Sequence, residues 1–203
     1  TITASNFVGA GISLSATTTP STCAPCHEGA TLGKVFTDWQ KTKHATAVKN
    51  RLGEVGGHFM LSCMSCHSIG YNTSATAVNG GWDDVAAEDT TYKQWFYPTT
   101  PNGPGVYDSL VAKYPALMQL SGIQCENCHG PAGAHATPSS PDYGNPAAMS
   151  ISMSSDVCAP CHFSSDRHPK GYSWDASGHA SSFDMGVAYQ YMNRSGCSQC
   201  HTG

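Results

Sequence analysis

Apolar positions recur at helical spacing most clearly near the middle of the chain. Leu110, Tyr114 and Leu117 fall on one face of a short helix predicted around 107–120. The surrounding stretch 73–120 is punctuated by turn signals such as NGG (79–81) and PTTPNGPG (98–105). Elsewhere no period of helix or strand is sustained, so short helices joined by loops, with little strand, are expected. The 21 Gly and 12 Pro fit that picture. No apolar run approaches the roughly 20 residues of a membrane span.

Composition sharpens the problem of what fills the interior. Ile, Leu, Val and Phe supply 28 of the 203 residues, about one in seven, below the roughly 20% at which chains struggle to build an apolar core. Disorder of this origin ordinarily goes with high net charge, and here the charge is only −4. Something other than side chains is therefore expected inside. Charged residues make up only 12% of the chain, and no basic patch invites nucleic acid. The start, TITASNFVGAG, lacks the charged and apolar regions of a signal peptide and reads as already processed.

All ten cysteines fall in five copies of one pattern: CAPCH (Cys23, Cys26, His27), CMSCH (Cys63, Cys66, His67), CENCH (Cys125, Cys128, His129), CAPCH (Cys158, Cys161, His162) and CSQCH (Cys197, Cys200, His201). C-x-x-C-H is the attachment signal for c-type haem. The two sulfurs bond the porphyrin, and the following His becomes the first axial ligand of its iron. A zinc site or redox disulfide explains one C-x-x-C but not a His after every pair, and five pairs do not divide into four-Cys sites. Five c-type haems would also supply the apolar bodies that the composition omits.

Ten histidines are present, and five are spent in the motifs. His44, His58, His135, His168 and His179 remain, one for each iron's sixth position. His135 and His168 each lie six residues beyond a motif His, in CHGPAGAH and CHFSSDRH. His44 and His179 share the setting W-x-x-x-x-H-A. His58, in GGHFM, rests on the count alone, with Met60 or Met64 as competing ligands; Met would raise that haem's potential. His135 stands close to its own motif and is expected to serve a neighbouring haem. Pro169 biases His168 to extended backbone.

A shift of 135 residues lays Cys23, Cys26, His27, Trp39, His44 and Ala45 on Cys158, Cys161, His162, Trp174, His179 and Ala180. The chain is accordingly divided into a tail (1–22) suited to contact with another subunit, a two-haem unit (23–72), an insert (73–120), a central haem segment (121–153) and a second two-haem unit (154–203). The fold expected is mostly irregular coil with short α-helices and little β, around a core of five stacked, covalently attached haems. Trp95, Phe96, Tyr97 and Pro98 are expected to wall a haem. Asp83, Asp84, Glu88 and Asp89 read as a solvated acidic face, with calcium binding as the alternative.

The five motifs and the W-x-x-x-x-H-A and CHGPxxxH settings resemble multihaem cytochromes c, the broad group holding the hydroxylamine-oxidoreductase-like and related electron-transfer cytochromes. The resemblance spans about 23–203. Low charge and a Ser/Thr/Gly-rich composition are most similar to the extracellular cytochromes that polymerise into conductive filaments. That resemblance implies bis-His haems stacked in a continuous chain, a head-to-tail homopolymer, and a distal His open to crossing between protomers. Redox partner proteins or extracellular acceptors would then be its partners, with no enzyme activity. A soluble periplasmic pentahaem shuttle is the alternative, and a small reductase with one open iron is a third. Haem attachment of this kind takes place outside the cytoplasm, so cell exterior or periplasm is expected. The triplets at Asn72 and Asn193 match glycosylation acceptors but occur readily by chance.

Overall fold

The structure, a computed structural model, describes residues 7–9, 22–29, 32–150, 152, 155–163 and 170–177. The chain forms two compact units, Thr1–Ile151 and Ser152–Gly203. In the first lie α1 (Ala24–His27), α2 (Val35–Gln40), α3 (Lys43–Gly53), α4 (Trp82–Glu88), α5 (Val106–Lys113), α6 (Pro115–Gln119), α7 (Cys125–His129) and α8 (Gly133–Ala136). The second holds α9 (Ala159–His162) and α10 (Lys170–Asp175). Among the described residues β-pairing is confined to isolated bridges, Gly29–Gly33, Met60–Tyr97 and Ser68–Ser121. The chain is mostly helix and coil, as the interrupted periodicity predicts.

The local causes are specific. Thr42 caps α3 by accepting a hydrogen bond from Ala45 N at 3.3 Å. Ala45, Val48 and Leu52 then recur on its buried face. This helix runs 11 residues in a stretch where no helical period is marked. The helix predicted over 107–120 is two helices. Tyr114 leaves helical geometry (φ −129°, ψ 60°) because the following Pro115 crowds it out of the α region. Leu110, Tyr114 and Leu117 are nonetheless all buried. Pro115 then serves as the first residue of α6, where its missing N–H costs nothing.

A side-chain core does exist in this first unit, contrary to the reading from composition. It joins Val48 and Leu52 of α3, Trp82 and Ala86 of α4, Tyr107 and Leu110 of α5, and Leu117 and Met118 of α6, with Met64, Ile69, Tyr92 and Phe96 from the connecting turns. The reason is that Trp, Tyr and Met carry the volume, and a count of aliphatic residues and Phe misses them. Tyr92 meets Trp82, Phe96 and Tyr114 edge-on, with ring centroids 6.1–6.4 Å apart. The turn-rich insert therefore supplies much of the packing. Within it, buried Asn102 accepts a hydrogen bond from Phe59 N at 2.7 Å and closes the loop over the core.

Three of the four acids of 83–89 are spent on local backbone. Asp84 accepts from Gly80 N (2.8 Å) and Gly81 N (3.1 Å) at the start of α4. Asp83 accepts from Asn72 N, and Asp89 caps the following turn through Thr91 N at 2.8 Å. Phe96 is a core residue, whereas Trp95 and Tyr97 are half-buried and Pro98 is exposed. Trp95 stacks under Lys113, and Tyr97 turns to His58.

Candidate haem sites

Four of the five motifs lie among the described residues, and each closes as a single helical turn. His27 N donates to Cys23 O at 3.0 Å, His67 N to Cys63 O at 3.1 Å, and His162 N to Cys158 O at 3.0 Å. The third motif forms α7 itself, Cys125–His129. One turn brings residues three and four apart onto a common face, which is the arrangement that two thioethers and an adjacent ligand require. In both CAPCH copies the Pro occupies the first turn, where it presets the backbone. The described cysteines form no disulfide. The fifth motif, Cys197, Cys200 and His201, lies outside the described residues, as do His168 and His179.

Two imidazoles are already oriented by the backbone. His129 Nδ1 lies 2.6 Å from Ser150 O, and His135 Nδ1 lies 3.0 Å from Asn145 O. A carbonyl only accepts, so each Nδ1 carries the proton and each Nε2 keeps its lone pair for a metal. This is the outer-shell support that ligating histidines ordinarily have. Nothing in the sequence marks either partner, since both are main-chain oxygens.

The third motif is the hub of its unit. Trp39 Nε1, from the W-x-x-x-x-H-A stretch, donates to Ile123 O at 3.1 Å. The Cys23 thiol donates a hydrogen bond to the Cys125 sulfur, which holds the Cys23 proton on and lowers the Cys125 thiol. The His27 and His135 rings lie 6.2 Å apart between centroids, tilted by 41°. On its other side, Asn127 Nδ2 donates to Ser68 O at 2.9 Å and Gly122 N to His67 O at 2.8 Å. The first and second motifs thus both abut the third.

Glu126, a variable position of CENCH, is buried and accepts from Val8 N (3.0 Å), Gly9 N (2.6 Å) and Ala132 N (2.8 Å). Burial pushes its carboxyl up, against the opposing pull of those three donors. It pins a short N-terminal stretch to the hub, a role no motif announces.

His44 is exposed on the first turn of α3. His58 is exposed and meets Tyr97 edge-on at 4.7 Å. His67 meets Phe59 edge-on at 5.4 Å. Met64 is fully buried in the apolar core. Among the described residues no three His, Cys, Asp or Glu side chains converge as a protein-only metal centre requires. A haem iron takes just two protein ligands, and by that measure the residues present fit the group.

In the second unit, α9 and α10 repeat α1 and α2 at a shift of 135 residues. Cys158 also repeats the backbone of Cys23, with φ and ψ of −87° and −24° against −90° and −34°.

Compared with known proteins, the chain matches no family model, no curated protein and no solved structure. No helix among the described residues is long and apolar enough to cross a membrane.

Proposed function

We propose that the chain is a pentahaem c-type cytochrome for long-range extracellular electron transfer, the repeating subunit of a conductive head-to-tail filament. The observation that carries this reading is His129. It follows a C-x-x-C turn and is held by a main-chain carbonyl with Nε2 left for iron.

The haems supply one-electron transfer without bond making. The ten motif cysteines attach them, and the motif histidines orient the irons. His44, His58, His135, His168 and His179 fill the opposite positions. With imidazole on both faces no coordination site is left for a substrate, so the reading excludes an enzyme. Packed side chains and loops hold the attachment turns in place and keep water from the ligands. The filament part of the proposal rests on low charge and on the polar Ser/Thr/Gly-rich composition. A heterologous contact that does not close generates such a polymer.

The test is a haem assay and negative-stain electron microscopy of the native protein. Five covalent haems per chain and long filaments with a regular axial repeat are expected. Uniform small particles with five haems would move the protein to the class of periplasmic shuttles. Absence of covalent haem would end the cytochrome reading altogether.

A further inference from the structure

The distance between His27 and His135 has a specific meaning once 23–27 is read as a haem attachment, a reading on which this inference rests. A metal–imidazole bond is about 2.0 Å and the ring centroid lies about 1.2 Å behind the nitrogen, so two imidazoles trans on one metal have centroids about 6.4 Å apart. His27 and His135 are 6.2 Å apart. Their 41° tilt suits a rotation about a shared axis, which axial ligation leaves free. The edge-on contacts that His58 and His67 make with Tyr97 and Phe59, at 4.7 and 5.4 Å, are closer and near-perpendicular.

The pair is not held by that contact alone. His135 Nδ1 is committed to Asn145 O, which fixes the ring and assigns Nε2 to the metal side. Trp39 Nε1 on Ile123 O holds the two chain segments side by side. His129 belongs to the same local stretch as His135, yet its ring is turned to Ser150.

We propose that His135 is the sixth ligand of the haem attached at Cys23 and Cys26, opposite His27. The ligand thus comes from the segment of the third motif, and the first and third attachment sites are immediate neighbours although 102 residues separate Cys23 from Cys125. Order along the chain is then not order in space.

The experiment uses the full-length mature protein. In His135→Ala, electron paramagnetic resonance and visible spectra should show one haem in five turned from low-spin to high-spin. The same substitution is then made with Cys23→Ala and Cys26→Ala, which removes the first haem. There it should add no high-spin signal. Five low-spin haems in His135→Ala, or a high-spin haem that persists without the first attachment site, overturns the pairing. Should these variants fail to mature, a cryo-electron microscopy map of the native protein decides. Density from His135 to the first iron supports the pairing, and any other ligand on that iron refutes it. Loss of the pairing with five haems still attached leaves the cytochrome reading standing, whereas a wild-type chain without covalent haem removes both.

Discussion

Glu126 shows how much a variable motif position can carry. Its carboxylate satisfies three main-chain donors that have little water to turn to. Each buried donor left unsatisfied costs on the order of 1–3 kcal/mol. Glu126→Ala is therefore expected to destabilise the first unit by roughly 3 kcal/mol or more in denaturant unfolding, with Glu126→Gln between it and the wild type. The pH dependence follows from burial, which raises this carboxyl above its ordinary 4.5 in the folded state. The folded form then binds the proton more tightly than the unfolded form. Its contribution is most favourable at or below pH 4.5, declines as pH rises through the folded value, and is flat above it. The stability difference between wild type and Glu126→Gln should move against the wild type across that window; movement the other way would refute the assignment. At this scale the sequence was legible only in part. C-x-x-C-H and the surplus histidines name the atoms that the proposed function takes as ligands. The carbonyls of Ser150 and Asn145, which orient His129 and His135, belong to residues whose identity does not encode the role.

Among the elements, what could be read was whatever repeats with a period. Leu110, Tyr114 and Leu117 mark a buried face because three and four residues return a helix to the same side. The break at Tyr114 was available from Pro115 as well, through the crowding that proline imposes on its predecessor. The core itself was harder to see. Trp82 and Tyr92 each stand among polar neighbours, on separate short turns, and only the chain's path brings them together. Nor did the acids of 83–89 declare that Asp84 reaches back to two main-chain donors. The side-chain core makes a prediction that an interior of porphyrins alone would not. Leu110→Ala, at a fully buried site, should cost about 2–5 kcal/mol. Val55→Ala, at a side chain 80% exposed, should stay within about 0.5 kcal/mol. Equal and small effects in thermal or denaturant unfolding would mean that the cluster contributes little beside the attached groups.

For the molecule as a whole, duplication was legible and has a structural counterpart. Both CAPCH copies open on the same turn and are followed by a helix in the same register. The ion pairs Lys41–Asp38, Lys49–Asp108 and Arg51–Glu54 are all largely exposed and add little to stability. The electron-transfer proposal makes its sharpest demand on potentials. Methionine ligation raises a haem's potential relative to paired imidazoles. Met64, one of the two methionines near the second motif, is enclosed in the apolar core. With ten histidines for five irons, each haem is assigned two imidazoles and none an open face. A spectroelectrochemical titration should therefore find every haem low-spin in both oxidation states and reduced only below the potential of the hydrogen electrode. One high-spin haem in the native protein would return a vacant iron and with it the reductase reading. A clearly positive wave with all haems low-spin would instead implicate methionine, and Met60, half-exposed beside His58, would be the residue to replace first.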